Sequence, residues 1–298
     1  MKMKLRSIGC AFCASVLFVT VFQAAAQEAP ALPKVLRIFR EEVKQGKGPA
    51  HEKTEASFVK MLGKYKYPAN TIACDVEAGP SEAWFFEAHD SFKSIQNVET
   101  MVEKNAAMKA DFGNLDGVDG ELRANSTTML AVFRDDLSYR ASQFAQELPK
   151  TRYFTMTMVR IRPFMDSRFD DLGKQVIAAY QRANSEVPNA TYQVVSGGPG
   201  GMYLLFTPMK SLDTMDEAPA RSKAMMASLG MEKAVALFKN AGEVITGTQS
   251  LLLAINPKMS YVSKDFAAQD PEFWTPKVAT TSTKPASSKA SEKPGAGQ

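Results

Sequence analysis

Hydrophobic and polar positions follow one order twice along this chain: strand, amphipathic helix, two strands, helix, strand. The first passage opens with the alternating run from Val35 to Val43, and the second opens with the run from Tyr153 to Arg162. A helical stripe follows each opening strand, made of Phe58, Met61, Leu62 and Tyr65 first and of Phe169, Leu172, Val176, Ala179 and Tyr180 later. Closing strands are expected at Thr127 to Phe133 and at Gln249 to Ile255.

A Gly-Pro turn marks the middle of each passage. Gly79-Pro80 precedes a strand that carries Trp84, and Gly198-Pro199 precedes a strand that carries Tyr203 at the matching position. A serine that is typical of a helix N-cap follows in both passages, at positions 91 and 211. The agreement of turn, aromatic residue and cap predicts two copies of one βαββαβ unit, at 34–148 and 150–262.

In element order and in its two Gly-Pro hairpins, the sequence resembles the dimeric α/β-barrel superfamily over roughly residues 34–260. Within that superfamily the pattern is most similar to the NIPSNAP-like and antibiotic-biosynthesis-monooxygenase-like branches. The resemblance implies an α+β fold in which two tandem ferredoxin-like units pair their antiparallel sheets into an intramolecular α/β barrel. Each sheet would bury its open face against the other. The chain would then be a monomeric pseudo-dimer or a higher oligomer.

The two ends of the chain differ in composition from its middle. Residues 1–26 combine Lys2, Lys4 and Arg6 with a short apolar run and a closing Ala-Ala-Ala, which is typical of a secretory signal peptide. Residues 276–298 contain Ser, Thr, Lys, Pro and Ala with hardly any large apolar side chain, which predicts a disordered tail. We therefore expect an exported protein, periplasmic or secreted, without an integral membrane segment in its mature form.

The net charge of +4 depends on these two ends. Three basic residues leave with the predicted signal peptide, and the tail holds four lysines against Glu292 alone. The folded part is then slightly acidic, which argues against nucleic acid as a partner. Cys74 would be the one cysteine of the mature chain, and its place in a strand-like run predicts a buried, inert thiol.

Alternation along the opening strand separates two faces of the sheet. We expect Leu36 and Ile38 on the helix-covered side, together with Phe154, Met156 and Met158 of the second passage. Arg37 would then point into the space between the sheets, where it could pair with Glu87. The alternative is a structural ion pair or two solvent-facing residues.

The two histidines, His51 and His89, both fall in the first passage. Each has carboxylates nearby in sequence, such as Glu52, Glu55 and Asp90, beside which a histidine could act as a base. Two histidines without a third ligand make a poor zinc site, so the sequence predicts no metal site. No cofactor is expected from the residues alone, although the superfamily resemblance keeps haem as an alternative.

The two passages differ in their polar side chains. The first contains five residues whose second-passage counterparts are mostly apolar or neutral: Arg37, His51, Trp84, Glu87 and His89. This asymmetry predicts that the first unit binds a small apolar or aromatic ligand in a barrel pocket, with these five residues as its site. Two alternatives stay open. One is a cofactor-independent or haem-dependent monooxygenase-like enzyme, and the other is a purely structural module.

Overall fold

The computed structural model describes residues 31–275, so the predicted signal peptide and the predicted tail lie outside the described residues. Within this range lie eight strands, β1 (Val35–Val43), β2 (Thr71–Ala78), β3 (Glu82–His89), β4 (Arg123–Phe133), β5 (Tyr153–Ile161), β6 (Ala190–Ser196), β7 (Met202–Met209) and β8 (Ile245–Ile255). The helices are α1 (Gly48–Lys64), α2 (Phe92–Lys104), α3 (Ala106–Gly120), α4 (Ala141–Glu147), α5 (Asp166–Arg182), α6 (Ala218–Leu229), α7 (Met231–Val244), α8 (Lys264–Ala267) and α9 (Pro271–Trp274).

The eight strands form one closed antiparallel barrel in the order β1-β3-β2-β8-β5-β7-β6-β4. The first four strands lie side by side as β4-β1-β3-β2, and the last four as β8-β5-β7-β6. Pairing of β2 with β8 and of β4 with β6 joins the two halves. The prediction of an α+β fold with a barrel closed within one chain is thereby confirmed. The predicted opening strands correspond to β1 and β5, and the predicted closing strands correspond to β4 and β8, which begin four residues earlier than predicted.

One apolar cluster fills the interior of the barrel, because every strand sends alternate side chains into it. Its most deeply buried members include Ile38, Met156, Leu204, Leu251 and Leu253. These side chains occupy the middle of the barrel, and a pocket of about 680 Å³ opens beside them at one end.

The prediction of which strand face is covered by helices is therefore wrong. Leu36, Ile38 and Met156 point into the barrel, whereas Arg37 lies on the outer face under the helices. Both faces of the sheet are buried, so alternation shows which residues share a face without showing which layer covers it.

Helices cover the outside of each half. α1, α2 and α3 pack on the first half, and α5, α6 and α7 pack on the second. Ser91 caps α2 as predicted, since its hydroxyl accepts a hydrogen bond from the amide of Ser94. Ser211 instead precedes a short 3-10 turn without a capping bond, and α6 begins only at Ala218.

Cys74 is fully buried in the barrel interior, and burial raises the pKa of its thiol well above the usual value. A reactive thiol needs the opposite shift, so the prediction of a buried, inert cysteine is confirmed. Within residues 31–275, no helix combines the length and the apolar composition that crossing a membrane requires.

Candidate functional site

A pocket of about 730 Å³ lies between the outer face of the first half of the barrel and helices α1, α2 and α3. We call it the sheet–helix pocket. Phe39 and Phe85 are paired across β1 and β3 and form part of its floor. Its walls include Phe58, Val59, Leu62, Val98, Val102 and Phe112 from the helices, and Met259 and Tyr261 from the segment after β8.

Arg37 and Glu87 form one polar network in this pocket. Nη2 of Arg37 donates to Oε1 of Glu87 at 2.8 Å, and the hydroxyl of Tyr67 donates to Oε2 of Glu87 at 3.0 Å. Nε2 of His89 is also hydrogen-bonded to Glu87. The predicted Arg37–Glu87 pair therefore exists, but it lies under the helices rather than inside the barrel.

The surroundings of Glu87 keep this carboxylate charged. Burial on its own would raise the pKa of Glu87, but the hydrogen bond with His89 and the charge of Arg37 together hold the pKa below its usual value. Burial beside the same carboxylate raises the pKa of Tyr67, so its hydroxyl stays protonated and acts as a donor. Each member of the network has its partners, which is the arrangement expected of a stable buried network.

A second polar group lies along the same pocket, and we call it the carboxylate–histidine cluster. It consists of Glu41, His51, Glu55 and Asp119, whose side-chain ligand atoms all lie within 4.8 Å of one another. Nε2 of His51 is 2.9 Å from Oε2 of Glu41 and 3.6 Å from Oδ1 of Asp119. All four residues are buried.

Arg123 holds this cluster from one side. Its guanidinium contacts Oε1 of Glu41 at 2.7 Å and Oδ2 of Asp119 at 3.0 Å. A further contact at 2.6 Å reaches the exposed Asp116. The other carboxylate oxygens, Oε2 of Glu41 and Oδ1 of Asp119, therefore lie on the side of His51.

Glu55 makes no hydrogen bond or ion pair with any residue of the described range, although it is only 8% exposed. Burial raises the pKa of Glu55 to about 9, with a further contribution from the negative charges of Glu41 and Asp119. Burial likewise raises the pKa of Asp119 to about 6. Oδ1 of Asp119 has no hydrogen-bond partner among residues 31–275. The cluster thus holds more acceptors than its neighbours satisfy.

Local structure explains part of this arrangement. Alternation on β1 puts Arg37, Phe39 and Glu41 on one face, and the spacing of four puts His51 and Glu55 on one face of α1. Alternation on β1 and this helical spacing were the two sequence signals for the cluster. Asp119 and Arg123 were missed because they come from the end of α3 and the start of β4, far along the chain from α1.

The remaining sequence-predicted residues lie elsewhere. Trp84 is fully buried in the barrel interior, where it stacks on Phe86 and its indole donates to Glu82 at 2.9 Å. His89 lines a different pocket of about 680 Å³ at one end of the barrel. Glu52, expected beside His51, instead binds Lys258. The structure thus brings Arg37, Glu87 and His89 into one network, places His51 in a second group, and separates Trp84 from both.

The second half of the barrel has apolar residues where the first half has the cluster. β1 and β5 are both nine residues long, and α1 and α5 are both 17 residues long, so positions can be matched directly. Glu41 then corresponds to Val159 and His51 to Phe169, both of which belong to an apolar core. The layer under the helices therefore does not require polar side chains.

The hydrogen bonds of the histidine ring nitrogens determine whether either histidine is free to ligate haem iron. Nδ1 of His89 is 3.2 Å from the hydroxyl of Ser94, and its Nε2 is hydrogen-bonded to Glu87. Nε2 of His51 is hydrogen-bonded to Glu41. Ligation of haem iron through His89, or through Nε2 of His51, would therefore break a buried hydrogen bond.

No protein-family model matches the sequence, and no curated protein resembles it significantly. Among solved structures, the chain is similar to a protein of Lactobacillus acidophilus NCFM assigned provisionally as a monooxygenase, with 6% identity, 76% of this chain and 95% of that chain covered, and a TM-score of 0.47. An anthrone oxidase-like protein has 11% identity, coverage of 75% and 92%, and a TM-score of 0.47. A mutant chlorite dismutase from Candidatus Nitrospira defluvii has 10% identity, coverage of 76% and 92%, and a TM-score of 0.46. Identities and scores this low say nothing about chemistry, which has to come from the side chains.

Proposed function

We propose that the protein binds a small, largely apolar molecule in the sheet–helix pocket, and that the pocket selects against anions. The observation that carries this proposal is the lining of the pocket. Seven acidic side chains, of which Glu55 is held protonated by burial, and only two guanidiniums, those of Arg37 and Arg123, surround a predominantly apolar middle. A cationic or neutral polar group on the ligand is compatible with this surplus of negative charge, whereas an anionic group is repelled by it.

The size and the walls of the pocket support a small molecule. A volume of about 730 Å³ is within the usual range for drug-sized ligands. Phe39 and Phe85 on the floor face Phe58 and Phe112 from the helices, so an aromatic or aliphatic body can be buried between them. The Arg37 network and the carboxylate–histidine cluster then offer polar contacts to such a body.

The site differs in place from the one predicted from the sequence. The barrel centre is filled by its own side chains, so the ligand is assigned to the layer between sheet and helices. We further propose that the halves are two ferredoxin-like units, at 34–148 and 150–262, with the second serving mainly as scaffold. Export through residues 1–26 is part of the same proposal and rests on the composition of that segment.

Three probes of one shape test the proposal: naphthylmethylamine, naphthylmethanol and naphthoate. In EDTA buffer we expect the amine and the alcohol to bind at least about tenfold more tightly than naphthoate, by isothermal titration calorimetry. Val59→Trp fills the pocket from α1 and should abolish binding. Val235→Trp is the matched control, because Val235 is 59% exposed on α7 and does not line the pocket.

Equal affinity for naphthoate and the amine would contradict the proposal, and so would undiminished binding to Val59→Trp. Failure of all three probes to bind at millimolar concentration would also overturn it. An oxygenase is the competing function. It would show itself by substrate-dependent oxygen uptake or, if haem is bound, by a Soret band in the purified protein.

A further inference from the structure

We propose that Glu41, His51, Glu55 and Asp119 bind one divalent first-row transition-metal ion at the acidic end of the sheet–helix pocket. The inference deepens the proposed function, because the metal ion would bind a neutral oxygen or nitrogen donor of the ligand, whereas the selection against anions belongs to the metal-free pocket. It is tested with metal ions alone. Metal binding can therefore fail while the binding of apolar molecules is confirmed, and the binding of apolar molecules can fail while metal binding is confirmed.

The four ligand atoms are already grouped as a metal requires. They lie within 4.8 Å of one another, and metal–nitrogen and metal–oxygen bonds are about 2.0–2.2 Å long, so ligands on opposite sides of an ion lie about 4 Å apart. The most distant ligand atoms therefore have to approach each other by up to about 0.8 Å, which movement of two side chains can supply. The donors come from three different elements, β1, α1 and α3, which fixes their directions.

Two acidic side chains of the cluster have acceptor oxygens without hydrogen-bond donors, which favours a cation at this point. Oδ1 of Asp119 makes no hydrogen bond within the described range, although Asp119 is 1% exposed. Glu55 likewise pairs with no residue of that range. A buried carboxylate without a donor is costly, and a metal ion is one of the few partners that satisfies several at once.

Arg123 does not supply this cation. It takes Oε1 of Glu41 and Oδ2 of Asp119, which leaves the second oxygen of each residue on the side of His51. The guanidinium therefore orients the two carboxylates from behind, as an outer partner of metal ligands does. With all three carboxyl groups ionised, one guanidinium leaves a negative surplus that a divalent ion offsets.

The second half of the barrel shows that the fold forms without this cluster. Val159, Phe169 and Gly173 stand where the first half has Glu41, His51 and Glu55. Val159 and Phe169 form part of an apolar core there. Because apolar residues occupy the positions matched to Glu41 and His51, this buried polar pair is explained better by a ligand than by packing.

The donor set indicates the kind of metal. One imidazole nitrogen with up to three carboxylates fits Mn²⁺, Fe²⁺ or Zn²⁺ better than Mg²⁺ or Ca²⁺, which prefer oxygen ligands throughout. For Nε2 of His51 to bind the metal, the hydrogen that it shares with Glu41 has to move to Nδ1 or pass to solvent.

The test is titration of EDTA-treated, dialysed protein with Mn²⁺, Zn²⁺ and Mg²⁺, followed by calorimetry. We expect one equivalent of Mn²⁺ or Zn²⁺ to bind, and Mg²⁺ to bind at least about 100-fold more weakly. Glu55→Gln and His51→Phe should each lower the affinity by about 100-fold or more, since even outer partners contribute 10–100-fold. The electron paramagnetic resonance spectrum of bound Mn²⁺ should show coupling to the nitrogen of His51.

Glu52→Gln is the matched control, because Glu52 is the neighbour of His51 on α1 but pairs with Lys258 outside the cluster. It should bind metal as the parent does. Both test variants are expected to fold, since Glu55→Gln removes an unpaired buried carboxyl and His51→Phe copies Phe169; circular dichroism checks this. Absence of binding at millimolar Mn²⁺ and Zn²⁺, or equal affinity of Glu55→Gln and Glu52→Gln, would overturn the site. Val59→Trp should keep the metal while losing the naphthyl probes.

Discussion

Nε2 of His51 lies 2.9 Å from Oε2 of Glu41, and more than nine tenths of each side chain is buried. Removing two such groups from water costs several kcal/mol, and apolar residues of similar volume are often as stable or more stable at such a place. The second half follows that rule with Phe169 and Val159. The pair in the first half thus carries a cost that folding alone does not justify.

Glu55→Gln should stabilise the metal-free protein. The carboxyl of Glu55 is buried without a partner, and burial raises its pKa to about 9, so near neutral pH the folded state has to take up a proton there. The amide carries no such penalty, and we expect a gain of about 1–3 kcal/mol in the free energy of unfolding. Urea denaturation in EDTA buffer measures it.

The same variant shows whether metal and stability are linked. Saturating Mn²⁺ should raise the melting temperature of the parent, because a ligand that binds only the folded state stabilises it. Glu55→Gln should show little of this rise, whereas Glu52→Gln should show all of it. A parent whose melting temperature does not respond to Mn²⁺ would contradict the link.

Glu87 should make the stability of the protein sensitive to acid. Its pKa is held below the usual 4.5, so its contribution is complete above that pH and is lost as the pH falls through the lower, folded-state value. In Glu87→Gln this part of the acid dependence should be absent, and the loss of charge beside Arg37 should cost about 3 kcal/mol at neutral pH. Urea denaturation from neutral pH down to about pH 3 measures both effects.

Glu99→Gln is the control for this experiment. Glu99 contacts the same guanidinium of Arg37 at 3.3 Å, but its side chain is 60% exposed. An exposed ion pair contributes little, so the variant should change the free energy of unfolding by less than about 1 kcal/mol and should keep the acid dependence of the parent. Equal effects of the two variants would mean that burial of Glu87 is not what matters.

Trp84→Phe should destabilise the protein without weakening the binding of naphthylmethanol. Trp84 fills the barrel interior and does not line the sheet–helix pocket. The smaller ring leaves a cavity and removes the donor to Glu82, at a cost of about 2–4 kcal/mol. Calorimetry with naphthylmethanol should give the affinity of the parent. A loss of affinity greater than tenfold would show that Trp84 contributes to ligand binding.

Alternation and turn residues were sufficient to predict the repeated order of strands and helices, and the closed barrel followed from the resemblance to the α/β-barrel superfamily. Gly79-Pro80 and Gly198-Pro199 marked the two hairpins, and β1 has the bounds that the pattern gave. The wrong assignment of the helix-covered strand face has a physical cause. In this barrel the inner face is packed by side chains from all eight strands and the outer face is packed by helices, so Ile38 and Phe39 are both parts of apolar surfaces. Periodicity cannot distinguish two apolar layers.

The site was predicted less completely than the fold. Arg37, Glu87 and His89 share one network because they lie on the paired strands β1 and β3, a pairing that belongs to the predicted βαββαβ unit rather than to its hairpin. His51 joins Glu55 through helical spacing, but its contacts to Asp119 depend on how α3 packs against α1. Packing of that kind involves residues far apart in sequence, and a single sequence carries no local signal for it.

Gly197→Ala should disrupt the joint between the two halves, where β6 pairs with β4. Gly197 has a φ of +78°, and a Cβ there would lie 2.0 Å from the carbonyl oxygen of Thr128, which is backbone and cannot move aside. We expect a loss of about 2–3 kcal/mol or more. Gly200 in the same hairpin has nothing within 4 Å of an added Cβ, so Gly200→Ala should stay within about 0.5 kcal/mol of the parent. Urea denaturation distinguishes the two variants, and equal stability would show that the β4–β6 joint tolerates rearrangement.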